Sequence, residues 1–329
     1  MQDTDVLLHV EDYRVTLRSP TRDKAVRPVR GVNLDIRSGE IVGLVGESGS
    51  GKSSLALSML RLYPPEVRAT ASGSALFRGR DLVTLKERDL RSVRGTGIGM
   101  IFQEPRSSLD PVIPIGTQVV ESVRANGVRR RGDAKRRATE LLDWVGMRDP
   151  VREFSRYPHE LSGGMCQRVM VAVALAREPD LLIADEPTTS LDVTIQAHVI
   201  DLLGRLRREL HLAILMITHD LNLVSGFADR IAVMYAGRIV ETGTAGDLLE
   251  HPKHPYTVAL WNCAPELSRV RTEPLMPIAG SAPDLSEPIV GCSFKSRCVR
   301  RLKMCDEPPM PELLDETTGH SMECWNPVA

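Results

Sequence analysis

The chain lacks any uncharged apolar stretch approaching the roughly eighteen residues of a membrane span. Its first residues, MQDTDVLLHVEDYRV, carry acids and no apolar signal core. The expectation is a cytosolic chain that meets a membrane only through partners. An excess of positive charge is also missing: 42 basic residues face 43 acidic ones, for a net charge of -1. That excludes the global basic field that a nucleic-acid binder usually shows. The local runs Arg129-Arg130-Arg131 and Lys135-Arg136-Arg137 read as a solvated helix face. There is no internal repeat and no long coiled coil. Cysteine is sparse until the end: of six, Cys166 and Cys263 stand apart, and Cys292, Cys298, Cys305 and Cys324 crowd the last tenth of the chain. In a reducing cytosol such clustering points to metal more than to disulfides. What remains is ordinary globular material, 26% charged and 42% hydrophobic.

Residues 6–17 read as a strand, Ser19 to Lys24 as a turn, and Val32 to Ile36 as a half-buried alternating strand. Ile41-Val42-Gly43-Leu44-Val45, Leu181-Leu182-Ile183-Ala184 and the run Leu212 to Thr218 are short continuous apolar segments, the mark of buried parallel strands. Residues 104–160 have helical character, 165–177 predict a helix, and Val199, Leu202, Leu203, Leu206 and Leu210 form one apolar helical stripe. A hairpin is expected over 231–241, turning at Ala236-Gly237. Alternating strands and helices argue for a parallel α/β sheet. After Glu250 proline becomes frequent, and a loop-rich extension begins.

Gly46-Glu47-Ser48-Gly49-Ser50-Gly51-Lys52-Ser53 matches G-x-x-x-x-G-K-[ST] at every position, between a buried strand and a helix. Glycines let successive N–H groups converge on an anion, and the helix N-terminus adds a favourable dipole. Lys52 is expected to reach the β- and γ-phosphates and the Ser53 hydroxyl to ligate Mg²⁺. The strand 181–184 runs into Asp185-Glu186, which puts two carboxylates where an α/β sheet binds ligands. Asp185 suits Mg²⁺, and Glu186 suits the general base for an attacking water. Together these motifs argue for an NTPase.

Leu161-Ser162-Gly163-Gly164-Met165-Cys166-Gln167-Arg168 resembles the signature motif of ABC ATPases. On its residues alone it also reads as a helix cap at Ser162. The resemblance implies that Ser162, Gly163 and Gly164 face a nucleotide held by a second subunit. It implies that Gln103, closing Ile98 to Phe102, is the nucleotide-sensing glutamine and also touches Mg²⁺. It further implies that Ser190-Leu191-Asp192 is the loop joining two subunits, that His219 contacts the γ-phosphate, and that Ser54 extends the phosphate loop's contacts. One position departs from the family pattern: Leu17 stands where an aromatic commonly stacks on adenine. Tyr13 lies on the same strand face four residues early, and Leu17 with Val26 offers apolar surface instead.

Phe102-Gln103-Glu104-Pro105, Ser108-Leu109-Asp110-Pro111, the run His251 to Thr257, and Gly291-Cys292-Ser293-Phe294 with Arg297-Cys298 resemble the oligopeptide/dipeptide (and nickel) importer branch. Cys166 sits where that branch often has arginine. The tail cysteines are spaced C-x5-C-x6-C-x18-C. No tight zinc-type pair occurs, so the spacing suits an iron–sulfur cluster, with Zn²⁺ or free thiols as alternatives. The resemblance implies a [4Fe–4S] cluster on such a tail. His320 ranks below Cys324 as a ligand, and Cys263 is expected in the core.

The expected fold is an α/β P-loop ABC ATPase core with a parallel sheet, an antiparallel β subdomain, a helical signature subdomain and a loop-rich extension. Residues 1–250 would form the ATPase domain, with a helical insertion at about 104–170, and 251–329 the extension. The resemblance implies an ATPase energising peptide import from the cytoplasmic face of the membrane. It also implies a second ATPase subunit, two permease subunits and, indirectly, an extracytoplasmic binding protein. Import of nickel or another small solute, a soluble ABC protein acting on nucleic acid, and an exporter ATPase are the rival readings.

Overall fold

The computed structural model describes residues 6–20, 24–189, 192–263, 277–315 and 319–328. It divides into two compact units: residues 1–85 with 216–329, and residues 86–215. The expected turn over Ser19 to Lys24 and the loop Ser190-Leu191-Asp192 each fall partly outside the described residues.

The first unit begins with β1 (Val6–Arg18) and β2 (Val26–Arg37), which pair antiparallel. Both bury alternate residues, as the sequence alternation predicts: Leu8, Val10 and Val15 on one strand, Val32, Leu34 and Ile36 on the other. A bulge at Asp12, whose φ is 43°, shifts the register between Val10 and Tyr13. β3 (Ile41–Val45) is buried at every residue and runs into the phosphate loop, after which α1 (Lys52–Met59) begins. β4 (Arg68–Phe77) and β5 (Arg80–Asp81) complete a four-stranded sheet in the order β2-β1-β4-β5.

The second unit holds α2 (Glu87–Val93), β6 (Ile98–Ile101), α3 (Ile115–Ala125), α4 (Arg131–Trp144), α5 (Pro150–Glu153), α6 (Gly163–Leu175), β7 (Leu181–Asp185) and α7 (Val193–Leu210). β6 and β7 pair in parallel. All five residues of β7 are buried. Burying a side chain such as Leu182 or Ile183 stabilises the fold by about 1.5–3 kcal/mol. Helices α3, α4 and α6 pack on one another and bury Val119 and Val123, Ala138 and Leu142, and Val169 and Met170. The apolar stripe of α7 is buried at Val199, Leu202, Leu203 and Leu206, while Leu210 at its end stays exposed. On α4, Lys135 and Arg136 are exposed and Arg137 is half-buried; Arg136 donates to Asp133 at 3.0 Å, and Arg137 donates to Glu178 at 3.0 Å.

β8 (Ala213–Thr218) carries the chain back into the first unit. There follow α8 (Leu221–Ser225), β9 (Arg230–Tyr235), β10 (Arg238–Thr244), α9 (Ala245–Glu250) and α10 (Pro255–Cys263). β9 lies parallel to β3 and antiparallel to β10. The β9–β10 hairpin turns at Ala236 and Gly237, both at positive φ. That is the turn whose twist matches paired strands. Short strands β11 (Leu313–Asp315) and β12 (His320–Met322) add the tail to β10. Parallel pairs, an antiparallel subdomain and a helical subdomain are the architecture the sequence predicts.

The tail is anchored by one buried carboxylate. Glu241 on β10 accepts hydrogen bonds from the backbone N–H of Lys253 (2.6 Å) and His254 (3.0 Å), and lies 2.7 Å from His320 Nε2. Burial alone would raise its pKa, but these bonds together hold it below the usual carboxylate range. His320 is therefore engaged with Glu241. Cys263, expected in the core, is only half-buried: it closes α10, whose buried residues Pro255, Tyr256 and Thr257 all lie at its start.

His254 supplies a pH test. Burial pushes its imidazole from 6.5 down to about 4, against the pull of Glu241. Between those values the unfolded chain binds a proton that the folded chain refuses. Stability therefore falls as pH drops from 6.5 towards 4, by about 3 kcal/mol at most. Urea denaturation across that range should show the loss, and His254→Gln should flatten it. An equal slope in both proteins would show that His254 is not its source.

Candidate functional site

The expected phosphate loop, residues 46–53, lies in the first unit. Its glycines are dictated by packing. Gly46 has φ 153°, and a Cβ there would sit 2.1 Å from the Met234 carbonyl oxygen. Gly51 has φ 109°, and a Cβ there would sit 2.0 Å from the Pro28 carbonyl oxygen. Both obstacles are backbone, so neither gives way without moving its strand. Gly49, at the exposed tip, has open space around it. Lys52 is buried and donates to the carbonyls of Gly46 (2.8 Å) and Glu47 (3.0 Å). Its ammonium thus closes the loop on itself. Ser50 is buried and its carbonyl accepts from Gly237 N at 2.8 Å, which ties the loop to the β9–β10 turn. Ser48 is exposed, and Ser53 and Ser54 are half-buried at the start of α1. Tyr63 donates to the Ser54 carbonyl at 2.9 Å.

Leu17 and Val26 are direct partners in the β1–β2 ladder, and both are half-buried. Tyr13 is buried, and its hydroxyl donates to Ser58 Oγ at 3.2 Å. It is a core residue. His219 follows the last residue of β8 and is exposed.

The second unit holds a separate cluster. Asp185 is buried at the C-terminal end of β7. Glu186 comes next with φ 47°, a left-handed conformation uncommon for a glutamate. Gln103 Nε2 and Thr189 Oγ1 both donate to Glu186 Oε2, each at 2.9 Å. Two donors on one oxygen fix the rotation of the carboxylate. The structure thus brings Gln103 to Glu186 and adds Thr189, which sequence reasoning missed. A hydroxyl three residues after the acid, on the turn closed by Thr189 N to Glu186 O (3.2 Å), was the available signal.

The signature segment opens α6. Ser162 Oγ accepts from Met165 N at 3.3 Å, so the serine is a helix cap. Gly164 lets α7 approach: a Cβ there would meet Ile195 at 2.8 Å. Asp192 caps α7 by accepting from Ile195 N at 2.9 Å. Cys166 is buried, its thiol points at the Pro158 carbonyl, and burial raises its pKa, which disfavours the reactive thiolate.

In the tail, Cys305 and Cys324 are buried and Cys292 and Cys298 half-buried. Burial pushes the Cys292 thiol up to about 11, and the neighbouring Cys305, Cys324 and Cys298 push the same way. Burial likewise raises Cys298 and Cys324. Cys292 N donates to the Cys305 carbonyl at 2.8 Å. Residues far apart in sequence thus share one thiol-rich neighbourhood. Among the described residues, however, no three His, Cys, Asp or Glu side chains are arranged to hold a metal ion. The expected cluster has no support from ligand geometry. Nor is any helix among the described residues long and apolar enough to cross a membrane.

Residues 29–189 match the family model of the ABC transporter, and residues 240–305 match that of the oligopeptide/dipeptide transporter C-terminal region. The chain is 47% identical to a probable peptide ABC transporter ATP-binding protein of Sinorhizobium fredii, over 98% of this chain and 95% of that one. It is 43% identical to the oligopeptide transport ATP-binding protein OppD of Escherichia coli, over 99% and 95%. Identity to the dipeptide transport ATP-binding protein DppD of Bacillus subtilis is 41%, over 97% and 94%. Among solved structures, a dimeric ATP-binding cassette in a post-hydrolysis state bound to ADP and Pi superposes with a TM-score of 0.63 at 27% identity. It covers 72% of this chain and 98% of its own.

Gly46→Ala tests the loop's packing. The added Cβ must displace the Met234 carbonyl, so nucleotide affinity should fall by at least about tenfold, on the scale of a misplaced binding group. Titration with an ATP analogue measures it, and unchanged affinity would show that the loop tolerates the shift.

Proposed function

The chain belongs to the ATP-binding subunits of ABC transporters, in the oligopeptide/dipeptide branch, and from that premise we propose that it hydrolyses ATP to drive peptide import across the cytoplasmic membrane. The observation that carries the cargo class is the similarity of residues 240–305 to the C-terminal region of oligopeptide/dipeptide transporters. Nickel or another small solute is the alternative cargo. The chain acts from the cytoplasmic face beside two permease subunits and a second ATPase subunit, read here as a paralogue, with an extracytoplasmic binding protein delivering cargo. Residues 1–250 form the ATPase part, with the helical insertion at about 104–170, and 251–329 the extension.

In this reading the N–H groups of residues 46–53, with Ser54, cradle the phosphates, and Lys52 exchanges its loop carbonyls for phosphate oxygens. The loop is preformed around its own ammonium, which supports that exchange. Leu17 and Val26 offer adenine an apolar ledge. Ser53, Asp185 and Gln103 offer hard oxygen donors that suit Mg²⁺, which supplies charge neutralisation when bound. Glu186 takes a proton from the attacking water as that oxygen bonds to the γ-phosphorus and the bond to the ADP oxygen breaks. Gln103 and Thr189 aim its carboxylate. His219 contacts the γ-phosphate. Ser162, Gly163, Gly164 and Asp192 face the nucleotide of the partner ATPase, so ATP closes the pair and hydrolysis reopens it.

The expected behaviour of Glu186→Gln is ATP binding without turnover, with hydrolysis down by at least about a hundredfold, within the range for general acid–base catalysis. Phosphate release and sedimentation with ATP would read it. Normal turnover would remove Glu186 from the role of base.

The four tail cysteines carry a second proposal, that they ligate an iron–sulfur cluster, with zinc as the alternative. The all-sulfur donor set and the shared neighbourhood of the thiols support it. Such a cluster would cross-link the tail. Anaerobically purified protein should contain iron with matching acid-labile sulfide, lost in Cys298→Ser. Zinc alone, or neither metal, would refute the cluster and leave the ATPase reading standing.

A further inference from the structure

Glu47, the first variable residue of the phosphate loop, is bound at both ends by residues remote in sequence. Its backbone N–H donates to the Tyr256 hydroxyl at 2.9 Å. Its carboxylate accepts both arms of the Arg297 guanidinium, Nη1 to Oε2 at 2.7 Å and Nη2 to Oε1 at 3.0 Å. Arg297 lies in the tail between Phe294 and Cys298, and its side chain is only 5% exposed. All five of its N–H donors are used. Nε bonds the Ala279 carbonyl (3.0 Å), Nη2 also bonds the Ile278 carbonyl (3.1 Å), and Nη1 also reaches the Tyr235 hydroxyl (3.3 Å). A guanidinium so satisfied has one geometry.

The surroundings stiffen it further. Tyr235, Tyr256 and Phe294 form a three-ring cluster with centroids 4.4 to 5.3 Å apart. The guanidinium lies over two of these rings, 5.9 Å from Tyr235 and 6.0 Å from Phe294. Tyr235 directly follows Met234, whose carbonyl meets Gly46. The tail, the end of β9 and the phosphate loop therefore converge on one residue.

A carboxylate on a loop that binds a polyanion is unfavourable unless its charge is cancelled. A fork–fork guanidinium cancels the charge and fixes its direction together. A simple staple between tail and core would need no position on this loop. We propose that Arg297 is a positioning residue for nucleotide binding: it neutralises Glu47 and holds the first turn of the phosphate loop, so that the C-terminal extension sets the affinity for ATP. This rests on the reading of residues 46–53 as the phosphate site.

The test is a double-mutant cycle on the full chain, with a non-hydrolysable ATP analogue and Mg²⁺, titrated at low and high salt. Arg297→Gln should weaken binding about tenfold at low salt and less at high salt, since it leaves a bare carboxylate beside the phosphates. Adding Glu47→Gln should restore most of that affinity, the coupling expected of contacting partners. If Arg297→Gln does not fold, Arg297→Lys carries the test alone: lysine keeps the charge and loses the fork, so binding should weaken alike at low and high salt, and unchanged affinity overturns the positioning role. Unchanged affinity in the single variant, or a double that binds no better than the single, overturns the proposal. Lys52→Ala separates the two readings. If it abolishes binding while the Arg297 variants bind normally, only the clamp fails. If Lys52→Ala itself binds normally, the phosphate-site reading fails with it.

Discussion

Two backbone carbonyls, those of Met234 and Pro28, approach the phosphate loop so closely that no side chain fits at Gly46 or Gly51. Most of the first unit is organised by that constraint. β3 must end where β9 ends for the approach at Gly46, and the parallel pairing of Val45 with Val233 sets that register. β2 must run past the loop for the approach at Gly51. The Ala236-Gly237 turn then meets the loop from a third side, through Gly237 N and the Ser50 carbonyl. The loop proposed to cradle the phosphates is thus shaped by strand ends, the kind of preorganisation that limits the entropy lost on binding.

The tail is built onto the same framework. Glu241 gathers Lys253, His254 and His320, and that gathering starts α10 where Tyr256 can reach Glu47 N. Residues 277–315 then return to the loop through Arg297. Among its described residues the extension contributes little regular structure: α10, one 3-10 turn and two strands of three residues each. Its order comes from a buried carboxylate, a saturated guanidinium and an aromatic cluster. Four buried or half-buried thiols sit among these contacts.

The buried strands were legible because continuous apolar runs such as 41–45 and 181–184 leave few other placements. The phosphate loop and the acids after β7 were legible because their spacing encodes a local geometry. β4 was missed for a physical reason: its first six residues are exposed, small or polar, so no alternation marks them. Tyr13, on the strand face of Leu17 but four residues early, is held in the core by Ser58 and the bulge beside it. Thr189 was passed over since a threonine in a polar turn carries no signal until the φ of Glu186 is known. The Arg297–Glu47 pair spans 250 positions, and nothing local in either segment announces the other. The spacing of the tail cysteines suggested a cluster, but spacing does not give the directions of their thiols, and among the described residues no three His, Cys, Asp or Glu side chains are arranged to hold a metal ion.

The central claim is that ATP turnover by this chain is spent on moving peptides through membrane subunits. Its most direct test is uptake. Membrane subunits that co-purify with the tagged chain would be reconstituted into vesicles with this ATPase outside and a peptide-loaded binding protein inside. The account predicts ATP-dependent export of a labelled short peptide from the vesicle lumen, which corresponds to import in the cell. It also predicts faster ATP hydrolysis when peptide is present. Hydrolysis indifferent to peptide, with no movement of label, or hydrolysis stimulated by nucleic acid instead, would contradict it.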